Sequence, residues 1–406
     1  VPDPPPHAAA ERPRSSAGDA LIALNASHEL SRAFFGRLGA ALRSEEAASG
    51  ETGASHAAAP PSRSALLALC RRLAPRRRTP AASDSGPEDR LAEIARRIRD
   101  SRVLAAAERA RCAELGGRIL TIFDAAYPAA LHQLAQPPPA LYIRGELPAS
   151  PGIAVVGSRR ADSYGLEMAE LFARQLAARG LAIVSGFAVG IDQAAHRGAL
   201  AAPGGRTLAC LGCGLDVDYP RGRRRLAAQI ARAGAVVSEF PLGYPPLAHN
   251  FPIRNRLIAA LSFGTLVVRA AARSGSLITA RLAAELGRDV YAIPARLFDP
   301  RAEGTHLLIQ DGALIALRPE DIVESLPYRV QAALVDRDPE LERRPPPPGR
   351  EARRLFEALP RDDTASCEEL ARAARLTTER TLVLLLELEL GGWVTRYPGP
   401  SFARKS

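Results

Sequence analysis

"IAVVGSRRADSYG", residues 153–165, decides how the rest of the chain is read. An apolar run, Ile153 to Val156, ends in a Gly-Ser turn and leads into a helical stretch, which is how phosphate-binding sites begin in many α/β proteins. A dinucleotide fingerprint here needs glycine at 157, 159 and 162. Only Gly157 complies, because Arg159 and Asp162 occupy the other two positions. A pyrophosphate lying against this backbone would meet side chains, so a standard NAD site is not expected. What remains is a strand, a tight turn and a helix N-terminus whose free N–H groups attract an anion, with Arg159 and Arg160 to complete the cradle. Such a site suits an exposed phosphodiester better than a buried cofactor.

The same pattern recurs on the C-terminal side. Apolar runs at 153–156, 181–184, 207–211, 235–238, 265–268 and 289–293 predict strands, with helical spacing at 164–179, 190–201, 223–233, 253–262 and 276–287 between them. Strands alternating with helices imply right-handed crossovers and a mainly parallel sheet covered on both faces. The fold class is therefore α/β, a Rossmann-like domain over residues 117–327. In such a sheet the carboxyl ends of the strands line the ligand crevice.

Those ends carry glycine, serine and arginine. "VSGFAVGIDQAAHRGAL" (184–200) offers Ser185 and Gly186; "GLDVDYPRGRRRL" (214–226) offers Arg221 and Arg223; "HNFPIRNRLIAAL" (249–261) offers Arg254, Asn255 and Arg256. "ARSGSLITA" (272–280) places Ser274, Gly275 and Ser276 where a helix begins, with hydroxyls able to cap it or to bind phosphate oxygens. Together with Gly157, Ser158, Arg159 and Arg160 these residues form the candidate phosphate-contact set, which is the DNA-binding set if the anion is a nucleic acid. Asp192 and His196, four apart on one helix face, could be an acid–base pair or a hydrogen-bonded brace. With no nucleophile or metal partner beside them, the brace is favoured.

Composition supports an anionic partner. The net charge is +10, and Lys405 is the only lysine, so guanidinium forks suited to bidentate phosphate contacts carry nearly all the positive charge. The five cysteines, Cys70, Cys112, Cys210, Cys213 and Cys367, form no disulfide framework. Cys210 and Cys213 make a CxxC without two further ligands at a zinc-like spacing, so no metal and no cofactor are expected. No run of about 18 apolar residues appears and no signal segment opens the chain, which points to a cytoplasmic protein without membrane attachment.

A length of 406 residues predicts two or three domains. Residues 1–19 are expected to be disordered, and 20–116 to form a helical module broken by low-complexity inserts at 44–62 and 74–88. A proline-rich linker, 328–350, leads to 351–406, where three helices and a possible hairpin suggest a winged helix-turn-helix. Its would-be recognition helix, "TTERTLVLLLELEL" (377–390), is apolar and acidic. A major-groove reader presents Arg, Lys, Asn or Gln instead, so a protein-contact role is favoured over duplex reading.

The ordered motifs "VVGSRRADSYG", "SGFAVGIDQAAHRGAL", "LGCGLDVDYP", "SEFPLGYPPLAHNFPIRNRLIAALS", "RSGSLITARLAAELGRDVYAIP" and "GTHLLIQDGA" resemble the DNA-processing protein A family, DprA, also called Smf. The helical module loosely resembles the family's sterile-alpha-motif-like domain, and the last domain its winged helix. The resemblance implies a bacterial, non-enzymatic recombination mediator that binds and protects single-stranded DNA and loads RecA recombinase in natural transformation. It assigns DNA contacts to Gly157, Ser158, Arg159 and Arg221, and a homodimer contact to the stretch around His306, Leu307 and Ile309.

Several positions depart from the family pattern. Arg269 stands where an acidic residue is usual, Asp162 where threonine is common, Arg223 where asparagine is usual and Ala295 where a turn glycine is usual. Arg269 and Arg223 would add charge to the pocket if they face it, and alanine would strain a turn of positive φ. The alternative reading is a phosphoribohydrolase-like Rossmann enzyme. "PGGRTLACL" (203–211) lacks the second Gly-Thr pair and the glutamate that such an enzyme needs.

Overall fold

The continuous apolar runs of the middle of the chain become parallel strands because helices cover both faces of the sheet. The structure, a computed structural model, describes residues 16–26, 38, 41, 63–73, 87–327, 330, 331, 334, 347, 349–360, 365–391, 393–397 and 401–404. Through Leu326 the chain forms one unit, and from Pro327 a second.

The first unit opens with helices α1 (Ser16–Asn25), α2 (Arg63–Leu73), α3 (Pro87–Arg99) and α4 (Ser101–Glu114). Then come β1 (Gly117–Thr121), α5 (Ala129–His132), β2 (Ala140–Gly145), β3 (Gly152–Gly157), α6 (Ser163–Ala178), β4 (Ala182–Ser185) and α7 (Ile191–Ala201). They are followed by β5 (Arg206–Cys210), α8 (Arg224–Ala233), β6 (Ala235–Ser238), α9 (Asn250–Ala260), β7 (Gly264–Arg269) and α10 (Ser276–Glu285). The unit closes with β8 (Asp289–Ala292), α11 (Glu303–Gln310), β9 (Leu314–Ile315) and α12 (Pro319–Ser325).

The sheet order is β1-β2-β6-β5-β4-β3-β7-β8-β9. From β6 to β9 the neighbours are parallel, whereas β1 and β2 add an antiparallel edge, with Tyr142 opposite Ser238. The sheet is thus mainly parallel, and the β1–β2 pair and the two-residue β9 were not among the expected strands. Outward from β3 the chain runs through β4 and β5 to β6, then returns to β7 on the other side of β3. This reversal opens a crevice at the carboxyl ends of β3 and β7.

The helices before β1 share the sheet's core. Leu21, Leu24, Leu66 and Ile94 cluster with Leu141, Ile143, Leu208 and Val237, while Ile22, Ala105 and Cys112 pack on Ile119 and Tyr142. Helix α1 begins at Ser16, inside the stretch expected to be disordered; residues 1–15, the insert 44–62, most of the insert 74–88 and most of the linker lie outside the described residues.

The second unit contains α13 (Arg350–Ala358), β10 (Ala365–Ser366), α14 (Cys367–Ala374), α15 (Thr378–Leu390), β11 (Val394–Tyr397) and β12 (Ser401–Arg404). Its sheet order, β10-β12-β11, adds a short third strand to the expected hairpin. Ser366 caps α14 through a reciprocal pair with Glu369, and the Thr377 side chain accepts from the Arg380 amide to start α15. Leu355, Leu370, Leu384, Leu385, Leu388 and Phe402 fill the core between them.

Candidate nucleic-acid interface

Close backbone approach fixes the turn after β3. The Ser158 amide donates to the Arg269 carbonyl at the end of β7 (2.7 Å), and the Ile191 amide donates to the Ser158 carbonyl (3.2 Å). A Cβ at Gly157 would lie 2.7 Å from Ile191 Cγ1. Gly190 has φ +93°, and a Cβ there would lie 2.4 Å from the Ser158 carbonyl oxygen. Glycine is therefore required at 190 by conformation and by space together.

These contacts frame a cleft of about 300 Å³. Gly157, Ser158 and Arg159 form one wall, Phe251, Arg254 and Asn255 a second, and Arg273, Ser274, Gly275 and Ser276 at the start of α10 a third. The Arg159 guanidinium lies 4.7 Å from the Phe251 ring centroid, and the Tyr219 ring continues the row 5.5 Å beyond Phe251. A cation over an aromatic face, followed by a second ring, offers both a phosphate contact and a surface on which a base can stack. Ser274 Oγ and Ser276 Oγ stand 2.8 Å apart beside the first turn of α10, whose backbone dipole favours an anion.

Arg254 is a buried strut. Its Nη1 donates to the Gly186 carbonyl and to the Cys210 carbonyl (2.6 Å), holding together the ends of β4 and β5. A Cβ at Gly186 would overlap that guanidinium. Burial lowers the Arg254 pKa, against the pull of the Asp192 charge. Burial likewise raises the Asp192 carboxyl, opposed by the charge of Arg254 and by the Ala188 amide, which donates to Asp192 Oδ2 (3.2 Å).

The other expected contact residues are placed differently. Arg160 is exposed and off the cleft wall, its amide donating to Ser158 Oγ (3.1 Å). Ser185 Oγ donates to the Val155 carbonyl (2.7 Å), tying β4 to β3, and Gly186 serves Arg254 with its carbonyl, so neither lines the cleft. Arg256 points elsewhere and pairs with Glu239 (2.5 Å). Asn255 does line the cleft, and its amide donates to the Gly275 carbonyl (3.3 Å). Arg221 and Arg223 are exposed on the loop after Tyr219, off the cleft wall.

Phe251, Tyr219 and Arg273 were missed as site residues. For the two rings the signal was an aromatic side chain beside a proline, Tyr219-Pro220 and Phe251-Pro252, in a basic stretch; for Arg273 it was an arginine directly before the Ser274 to Ser276 turn. Arg269, by contrast, does not add free charge: it is buried and pairs with Asp162 (2.8 Å) and Asp299 (2.6 Å).

Asp192 and His196 do not bond each other. Thr207 Oγ1 donates to the Ile183 carbonyl (2.7 Å), so His196 Nδ1, 2.7 Å from that hydroxyl, must supply the hydrogen between them. Burial lowers the His196 pKa to about 3, leaving a neutral ring. Burial also pushes the Cys210 and Cys213 thiols up to about 12. Among the described residues no cluster of three or more metal-binding side chains occurs. On α11, His306 Nε2 lies 3.2 Å from the Ala295 carbonyl, Leu307 is exposed and Ile309 half-buried. Ala295 takes no positive φ; among described residues other than glycine only Phe187 and Arg375 do, so the suspected strain at that turn is not there.

Residues 118–327 match the family described as DNA recombination-mediator protein A, and residues 339–400 match the DprA winged helix domain. The chain belongs to the DNA recombination-mediator protein A family. It is 44% identical over 278 residues to Protein Smf of Escherichia coli (strain K12), covering 67% of this chain and 74% of that protein. It is 42% identical over 210 residues to DNA processing protein DprA of Streptococcus pneumoniae (strain ATCC BAA-255 / R6), covering 51% of this chain and 74% of that one. The solved structure of DNA processing protein A from Streptococcus pneumoniae is 30% identical, with a TM-score of 0.61 over 77% of this chain and 98% of that chain. The Gly-Ser-Arg turn, Gly157 to Arg159, lies on the cleft wall within the matched residues. Among the described residues no helix is long and apolar enough to cross a membrane.

Proposed function

We propose that the cleft binds single-stranded DNA, and that the chain protects the bound strand and passes it to RecA recombinase during natural transformation, acting as a cytoplasmic homodimer through the α11 face. The observation that carries this reading is the contact series Arg159, Phe251 and Tyr219, of which the first two line a cleft walled also by Arg273 and the start of α10. Guanidinium groups neutralise successive phosphates while the rings receive unpaired bases, which gives affinity without sequence reading. Membership of a recombination-mediator family supports the same role. We read the chain as a binder of its ligand: His196 is fully buried on Thr207 and does not line the cleft, so it and Asp192, which does, are not arranged as an acid–base pair.

Fluorescence polarisation of labelled oligo-dT across a salt series tests the reading. The intact chain binds with a steep salt slope, and Arg159→Ala loses most of the affinity. Salt-insensitive binding, or equal binding by both proteins, contradicts it.

A further inference from the structure

Helix α15 occupies the place of a DNA-reading helix, yet its outer face has the wrong chemistry for a duplex. Thr381, Leu384, Leu385 and Leu388 turn into the core. Leu382, Val383 and Leu386 are about half exposed, and Leu390 is 81% exposed. At 3.6 residues per turn these four side chains fall in one stripe about 100° wide. Exposed Glu379 lies in line with that stripe, and Glu387 and Glu389 border it on its two sides. Arg380, the only basic residue of the helix, sits to one side and donates to Glu351 (2.9 Å). Positions 379, 383, 386 and 390 alternate steps of four and three, the spacing of a helix-pairing seam.

A phosphate backbone brought to this face would meet glutamates and leucines, with no donor for base edges. A second copy of α15 would set Glu387 and Glu389 against their own equivalents, like charge on like charge. We infer that the face pairs with a helix of a different protein, one that presents apolar side chains at the same spacing bordered by arginine or lysine. The leucines supply the buried contact, and the bordering glutamates select the basic rim of the partner. This surface is chemically unlike the arginine-lined cleft and does not rest on the single-strand reading.

The test uses the full chain and two labelled three-heptad peptides with leucine at the seam positions, one bordered by arginine and the other by glutamate. The chain binds the arginine-bordered peptide and not the other. Leu386→Glu, on an exposed position that leaves the core intact, weakens that binding about tenfold or more. The double substitution Glu387→Arg with Glu389→Arg reverses the preference between the peptides. Oligo-dT affinity stays unchanged in both variants, which separates this surface from the cleft. Failure of both peptides to bind, or no effect of Leu386→Glu, overturns the inference. So does loss of affinity for a short DNA duplex in Leu386→Glu, which assigns the face to DNA, or a fall in oligomeric state, which assigns it to a second copy.

Discussion

Arg269 Nη2 lies 2.8 Å from Asp162 Oδ2, which pairs two of the positions that the sequence resemblance set apart as departures. Taken singly, each looks like a change of charge beside the phosphate-binding turn. Placed together they cancel, with Asp299 (2.6 Å) as a second partner of the same guanidinium and Arg301 3.4 Å from Asp162. Asp162 also caps α6 by accepting from the Gly165 amide (3.0 Å). Burial pushes its carboxyl up, but the hydrogen bonds from Arg269 and Gly165 and the charges of Arg269 and Arg301 outweigh it, so its pKa falls below the usual range. The network anchors the turn that carries Arg159 to β7 and to the segment after β8.

Removing the buried cation should therefore cost stability more than affinity. Arg269→Met removes the buried cation and leaves Asp162 and Asp299 sharing only the exposed Arg301, so it is expected to lower the urea midpoint. Adding Asp162→Thr should recover part of the loss, because one of the two carboxylates left competing for Arg301 is then gone. Urea unfolding of the two variants checks this; equal stability of Arg269→Met and the parent chain would show that the pair is idle.

Electrostatic and stacking contributions to strand binding can be separated at the cleft. Arg273→Ala removes an exposed cation and should reduce the salt slope of oligo-dT binding by about 0.7. Phe251→Leu keeps the apolar contact with Gly212 but removes the ring beneath Arg159, and should cost about 1–3 kcal/mol of binding with the salt slope held. Identical slope changes in both variants would remove the stacking role from the Phe251–Tyr219 row.

Arg256 offers the opposite contrast. It belongs to the segment "HNFPIRNRLIAAL", yet its guanidinium is tied to the buried Glu239 at 2.5 Å. Arg256→Ala should destabilise the fold by about 3 kcal/mol, through the carboxylate left behind, while the salt slope of strand binding stays at the parent value. A thermal-shift assay read beside the polarisation titration distinguishes this from a DNA contact. A reduced slope at unchanged melting temperature would place Arg256 in the interface.

The parallel strands were legible in the sequence because burial on both faces makes each one a continuous apolar run, and all six expected runs coincide with strands to within a residue or two. The β1–β2 pair was missed for two reasons: Arg118 interrupts "GRILT" at the sheet edge, and the buried apolar run Ala140 to Ile143 follows directly on three prolines, which mask it as a loop. At the site, the sequence located the sheet edge but could not assign the direction of each arginine. Arg254 and Arg256 are two residues apart on α9, about 200° around the helix, so one reaches the strand ends and the other Glu239. Phe251 was hidden for the same reason: its meaning comes from Arg159 and Tyr219, which are far from it in the chain and adjacent only after the sheet has formed.

Buried His196 makes the stability of the fold depend on pH. Its Nδ1 hydrogen is committed to Thr207 and its Nε2 is buried without a partner, so protonation would place a charge where nothing receives it. Burial, with the charges of Arg254 and Arg197 in support, lowers its pKa from 6.5 to about 3. Between those values the unfolded chain binds a proton that the folded chain refuses, so this residue's contribution to stability is complete above pH 6.5 and declines as pH falls towards 3. His196→Asn removes the titrating group: it should melt below the parent chain at pH 7.5, with the gap narrowing steadily as the pH is lowered to 5. Groups that titrate in both proteins cancel in this comparison. A gap that stays constant from pH 7.5 to 5 would mean that the ring accepts a proton in the folded state, and the neutral assignment of His196 would be wrong.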